Sequence, residues 1–141
     1  MIILDVNVLL ALHRAEHPQH QIAIGWFERV AERRAQITVL DETWSAFVRL
    51  STNRRIHPVP TPLADAIGFM WTMRAEPDYV QARPDDRRME VFERLCREAS
   101  AAGDLVPDAF LAAAAIALDA TVASFDRDFA RFEEIRWERP S

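Results

Sequence analysis

Apolar residues along this chain fall into two patterns, which together predict strands that alternate with helices. Short, mostly apolar runs are typical of buried strands and occur at residues 2–4, 37–40, 79–81, 105–106, 121–125 and 135–137. Apolar residues at helical spacing predict helices over about 7–14, from 18 onward, and over about 42–51, 62–75, 84–101 and 108–118. This alternation favours an α/β fold with a central, mainly parallel sheet.

Length and composition limit the classes of protein to which the chain can belong. Its 141 residues contain no segment that reads as a linker, so we expect a single domain over residues 1–141. The three glycines form neither a dinucleotide-binding fingerprint nor a P-loop. The single Cys96 excludes an internal disulfide and a Cys-rich zinc site. The absence of lysine excludes Schiff-base chemistry and argues against aspartyl-phosphate receivers and phosphatases.

Charge and hydropathy bear on location and partners. No apolar run approaches the ~18 residues of a membrane span, and no basic segment precedes Asp5 as a signal peptide would require. We therefore expect a cytoplasmic protein that does not associate with membranes. The net charge of −5 argues against nucleic-acid binding over the whole surface. It leaves open a nucleic-acid enzyme whose site holds cations.

Acidic residues follow four of the apolar runs. Asp5 follows the first run, Asp41 and Glu42 follow the second, Asp108 comes shortly after residues 105–106, and Asp126 follows residues 121–125. Because the carboxyl ends of parallel strands share one edge of a sheet, this pattern predicts that acids from distant parts of the chain meet there.

Such a cluster of carboxylates favours a bound divalent cation. Like charges a few ångströms apart raise one another's pKa and oppose folding, and a cation relieves this repulsion. Oxygen ligands suit Mg²⁺ or Mn²⁺. Either ion can polarise a phosphoryl oxygen, activate water and stabilise a leaving oxyanion, so the implied chemistry is phosphodiester hydrolysis.

Helix capping is the alternative interpretation of the same acids. An aspartate after a strand often caps the next helix, and Asp108 and Asp126 both precede predicted helical turns. The occurrence of acids after four runs favours the metal site over capping alone.

Four segments resemble motifs of PIN-domain ribonucleases and of VapC-type toxins from toxin–antitoxin pairs. Residues 1–10 (MIILDVNVLL) resemble the opening of PIN-domain ribonucleases, 106–113 (VPDAFLAA) their third acidic motif and 124–129 (SFDRDF) their fourth. Residues 47–55 (FVRLSTNRR) resemble a stretch typical of VapC-type toxins. Together these motifs extend over essentially the whole chain.

The resemblance implies a fold, an activity and partners. It implies a three-layer α/β/α sandwich and an Mg²⁺-dependent endoribonuclease, usually a homodimer, that a small VapB-type antitoxin silences. Asp5, Asp108 and Asp126 match the family's metal-binding acids. Asn7 and Ser124 match the polar residues that flank the first and the last of these acids, where they can orient the carboxylates.

One position departs from the family pattern. Many PIN domains have a glutamate in the helix after the second strand, and the corresponding residue here is Ala46. Glu42 lies one helical turn earlier on the same face and is the candidate replacement, while Asp41 is a poorer one. The departure also motivates an alternative function, a catalytically degenerate PIN fold that binds RNA or protein.

Basic residues at the end of the third predicted helix have two interpretations. Arg49, Arg54 and Arg55 can contact RNA phosphates or an antitoxin carboxylate. They can equally be surface cations that the helix C-terminus favours.

Overall fold

The computed structural model describes all 141 residues and contains four strands, six α-helices and one 3₁₀ helix. The strands are β1 (Ile2–Leu4), β2 (Ile37–Thr38), β3 (Thr121–Ala123) and β4 (Arg136–Glu138). The helices are α1 (Val6–His13), α2 (His20–Glu32), α3 (Asp41–Ser51), α4 (Leu63–Arg74), α5 (Arg87–Glu98) and α6 (Leu105–Ala117), and the 3₁₀ helix spans Arg127–Arg131.

The four strands form one sheet in the order β2-β1-β3-β4, and every neighbouring pair is parallel. The chain leaves β1 towards β2 on one side and leaves β3 towards β4 on the other. The carboxyl ends of β1 and β3 therefore flank the point where the strand order reverses, which is where open α/β sheets bind ligands.

Helices cover both faces of the sheet, because strand residues alternate between two hydrophobic clusters. Ile2 and Leu4 point into a cluster formed with α1 to α4, whereas Ile3 points into a second one formed with α5 and α6. Val122 and Ala123 divide between the clusters in the same way. The α/β/α sandwich expected from the sequence is thus confirmed.

Two of the predicted strands do not form strands, and β2 and β3 are shorter than the predicted runs 37–40 and 121–125. Residues 105–106 form the first turn of α6, where Pro107 is tolerated because its missing N–H would have no helical partner there. The apolar character of this pair reflects the burial of α6, in which Leu105 is one of several buried residues, and not a strand. The segment 79–81 contributes a single parallel bridge between Tyr79 and Ile37. No helix is both long enough and apolar enough to span a membrane.

Candidate active site

Asp5 lies at the carboxyl end of β1 and also caps α1. Its Oδ1 accepts a hydrogen bond of 2.7 Å from the backbone N–H of Val6, and its Oδ2 accepts from Asn7 Nδ2 at 2.9 Å and from Ser124 Oγ at 2.6 Å. Desolvation on burial raises the pKa of Asp5, while the hydrogen bonds from Ser124, Val6 and Asn7 counteract part of that rise. Capping and a place in the predicted acidic cluster are therefore compatible for this residue.

Ser124 and Asn7 connect the ends of β1 and β3. The fully buried Ser124 hydroxyl donates to Asp5 and accepts from Asn7 Nδ2 at 2.9 Å and from the backbone N–H of Asp126 at 3.0 Å. Asn7 Oδ1 accepts from the backbone N–H of Phe125 at 3.1 Å. This network holds Asp5 and the segment that carries Asp126 side by side.

Asp108 lies in the first turn of α6 and beside the other acids. Burial, followed by the nearby carboxylates of Asp126, Asp5 and Asp128, raises its pKa to about 7 from an ordinary value of 3.8. A free carboxylate at this position is thus strongly disfavoured by its surroundings.

Asp128 is the acid that the sequence prediction missed. Carboxylate oxygens of Asp108, Asp126 and Asp128 lie within 4.8 Å of one another, while Asp5 is outside that tight group. The 3₁₀ turn explains the proximity, because Asp126 Oδ1 caps it by accepting from the backbone N–H of Asp128 at 2.8 Å. The Asp-Arg-Asp spacing in residues 126–128 was the only signal for it in the sequence.

A pocket of about 600 Å³ opens over these acids. Asp5, Asp108, Asp126 and Glu42 line it together with Asn7, and Val6, Ala46, Phe92, Val106, Pro107, Phe110 and Leu111 provide an apolar wall. Phe92 and Phe110 pack edge to face within this wall, with ring centroids 5.2 Å apart. The lining of the pocket therefore combines acidic side chains with a pair of aromatic rings.

Glu42 and Ala46 both face this pocket from α3, one helical turn apart, as their spacing predicted. The carboxylate of Glu42 forms an ion pair with Arg88 of α5. Arg88 stands in the charged run of residues 85–88, yet it is only 9% exposed. Asp41 is exposed and does not line the pocket, which leaves Glu42 as the candidate fourth acid.

The three predicted contact arginines lie elsewhere. Arg49, Arg54 and Arg55 are exposed at and beyond the far end of α3, roughly 15 Å along the helix from its acidic start. None of them lines the pocket. Their proposed role in contacting RNA or an antitoxin stays a prediction.

The donor set of the pocket fits a hard divalent cation. The groups that converge are carboxylate oxygens, and no Cys or His lines the pocket. Oxygen-only sites of this kind suit Mg²⁺ or Mn²⁺ rather than the softer transition metals. Burial and then the neighbouring carboxylates raise the pKa of Asp108, and a bound cation would offset both effects.

Comparison with known proteins places the chain in a family. The model of the PIN domain family matches residues 2–135. Ribonuclease VapC25 and ribonuclease VapC31 of Mycobacterium tuberculosis are each 45% identical to this chain over 140 residues, which is 99% of both partners in each comparison.

Solved structures show the same fold at low sequence identity. A structure of VapBC2 from Rickettsia felis, bound to a DNA fragment from their promoter, superposes with a TM-score of 0.74 at 16% identity and covers 100% of both chains. Mycobacterium tuberculosis VapC20, described as a sarcin-ricin loop cleaving toxin, gives a TM-score of 0.64 at 20% identity, covering 92% of this chain and 93% of that one. The family model matches nearly the whole chain, relatives at 45% identity match over their full length, and acidic residues meet at the edge of the sheet. The chain therefore belongs to the PIN domain family and, within it, to the VapC ribonucleases.

Proposed function

We propose that the chain is a metal-dependent endoribonuclease that uses Mg²⁺, or Mn²⁺ in its place, to hydrolyse RNA phosphodiester bonds. The observation that carries the proposal is the meeting of Asp5, Asp108 and Asp126 in one pocket of a VapC-family chain. These acids come from the end of β1, from the start of α6 and from the segment after β3. The raised pKa of Asp108 supports a cation there, because burial and the neighbouring carboxylates both disfavour its charged form unless a counter-charge is present.

The residues of the pocket divide the work of holding a cation and a substrate. Asp108, Asp126 and Asp5 would hold the ion, with Glu42 as a fourth acid and Asp128 within reach. When bound, the ion would polarise the phosphoryl group and lower the pKa of water. Asn7 and Ser124 keep Asp5 oriented through hydrogen bonds of 2.9 and 2.6 Å. The apolar wall of Phe92 and Phe110 offers the nucleoside part of RNA a water-poor surface.

The biological setting we propose is that of a toxin under the control of an antitoxin. The solved neighbours include VapBC assemblies from Rickettsia felis and from nontypeable Haemophilus influenzae, which supports a small VapB-type antitoxin as partner. We also propose a homodimer that acts in the cytoplasm as a single-domain protein, in agreement with the family model that matches residues 2–135.

A second candidate function rests on one position. Ala46 stands where many PIN domains have a glutamate, so a fold that binds RNA or protein without cleaving it is the alternative. The two functions differ in metal binding, which the degenerate module would lack.

The test is an RNA cleavage assay on the purified chain without an antitoxin. Structured RNA is incubated with Mg²⁺ or Mn²⁺ and then with EDTA, using the parent protein, Asp5→Asn and the surface control Asp119→Asn. We expect metal-dependent cleavage by the parent and by Asp119→Asn, with loss of at least about 100-fold in Asp5→Asn. Equal cleavage by all three proteins would reveal a contaminating nuclease. A folded parent that neither binds metal nor cleaves would favour the binding module.

A further inference from the structure

Arg88 is the one strongly buried cation at the rim of the acidic pocket. It is 9% exposed, and its guanidinium lies over the ring of Phe110 with 3.5 Å between Cζ and the ring centroid. Its Nε and Nη2 donate to the Phe110 carbonyl oxygen at 3.2 and 3.0 Å. A buried arginine needs such partners, because leaving its charge unpaired away from water is costly. Phe110 thereby fixes the direction in which the guanidinium points.

The fixed guanidinium points at Glu42. Nη2 of Arg88, on α5, donates a hydrogen bond to Oε1 of Glu42, on α3. Oε1 is the only oxygen of Glu42 that accepts a hydrogen bond. Phe110 lies two residues after Asp108 on α6, so the contact connects α3 to the helix start that carries a candidate ligand. Oε2 of Glu42 accepts no hydrogen bond, and Glu42 is one of the residues that line the pocket.

Glu42 needs such support more than the aspartates do. Its side chain is long, 42% exposed and rich in rotamers, so it loses substantial conformational freedom when held in one position. Asp5 is by contrast short and held by three hydrogen bonds. Position 46, where many PIN domains have a glutamate, lies one turn further along α3 and is an alanine here.

We propose that Arg88 is a positioning residue that holds Glu42 at the pocket, so that this carboxylate takes the place of the glutamate absent from position 46. The inference rests on the proposed function, because it concerns the acid that completes the cation site. Residues that orient metal-binding carboxylates commonly alter metal affinity by about 10–100-fold when they are removed.

The test is a double-mutant cycle on metal affinity rather than on activity. Mn²⁺ binding is measured by titration calorimetry for the parent, Arg88→Met, Glu42→Ala and the double variant. Removing Arg88 also changes the electrostatic field at the site directly, and the cycle treats this direct effect as the same with and without Glu42. The coupling factor is the fold loss of Mn²⁺ affinity caused by Arg88→Met when Glu42 is present, divided by the fold loss that it causes in the Glu42→Ala background. This division cancels the direct effect of Arg88 on the field.

We expect this coupling factor to be about tenfold, with Arg88→Met the more harmful when Glu42 is present. A factor of one would mean that Arg88 supports the fold alone, and an inverted factor would mean that Arg88 competes with the cation for Glu42. Either result overturns the proposal. Arg94→Met, which removes an arginine of the same helix that pairs with Glu134 outside the pocket, should leave Mn²⁺ affinity unchanged.

Folding and the proposed function are controlled separately. Circular dichroism and thermal melts establish that each variant is folded. If Arg88→Met does not fold, the cycle is run with Arg88→Lys, which keeps the charge but not the flat stack on Phe110 and should give a smaller factor above one. A parent that neither binds Mn²⁺ nor cleaves RNA contradicts the proposed function. A parent that does both, with a coupling factor of one, contradicts only the role of Arg88.

Discussion

Replacing Asp108 by asparagine should stabilise the metal-free protein, although it removes a proposed ligand. Burial and four neighbouring acids raise the pKa of Asp108 to about 7 from 3.8. At 1.36 kcal/mol for each tenfold change, this corresponds to about 4 kcal/mol at most. Because the side chain is half-exposed, solvent screening reduces the figure to about 2 kcal/mol. The substitution also removes the favourable interaction of the carboxylate with the N-terminus of α6. At about 0.3–1 kcal/mol, this loss is smaller than the gain from removing the disfavoured charge.

The sign of the pH dependence follows from proton linkage. A carboxyl group whose pKa is raised in the folded protein favours folding below about pH 4, and this contribution is lost as the pH rises through about 7. Without metal, the parent should therefore lose stability between pH 5 and pH 8. In Asp108→Asn this loss should be reduced by at least about 1 kcal/mol.

Urea denaturation in EDTA at pH 5 and pH 8 measures the effect. We expect Asp108→Asn to exceed the parent by about 1–2 kcal/mol in the free energy of unfolding at pH 8, and by less at pH 5. Asp86→Asn, which removes an exposed carboxylate at the start of α5 that does not act on Asp108, should have nearly the same small effect at both pH values. Saturating Mg²⁺ should stabilise the parent but not Asp108→Asn. A variant less stable than the parent at pH 8 would refute the reasoning.

Two further predictions concern the pocket. Ser124→Ala removes a buried hydroxyl that joins Asp5 to the segment after β3. Urea denaturation at pH 7 should show that the free energy of unfolding falls by about 1–3 kcal/mol. An unchanged midpoint would show that this hydrogen-bond network contributes nothing to stability. Glu42→Ala should weaken Mn²⁺ binding by about tenfold, and adding Ala46→Glu should restore most of the affinity in calorimetry because both positions face the pocket. Failure of this rescue would mean that position 46 cannot replace Glu42.

The parts of the site that sequence reasoning predicted are those that follow from strand order. Asp5 and Asp126 each come directly after or close to the end of a buried strand, so a parallel sheet necessarily brings them to one edge. Asp108 was predicted for a partly wrong reason, since the apolar pair before it is helical. Its position in the site depends on how α6 packs rather than on a strand end.

The residues that were missed depend on tertiary contacts that no local pattern encodes. Asp128 reaches the cluster only because a 3₁₀ turn folds residues 127–131 back on Asp126. Arg88 stands in a run of charges that looks solvated, and only the packing of α5 against α6 places it over Phe110. Arg49 lies at the far end of α3 from the pocket, and its contact with RNA or an antitoxin stays a prediction.

Anomalous diffraction from a crystal grown with Mn²⁺ tests the central claim most directly. We expect one dominant anomalous peak in the pocket, with carboxylate oxygens of Asp108 and Asp126 about 2.0–2.2 Å from the ion, and loss of this peak in Asp108→Asn. A peak at another site, or none in the pocket of a protein that cleaves RNA with Mn²⁺, would contradict the proposed cation site.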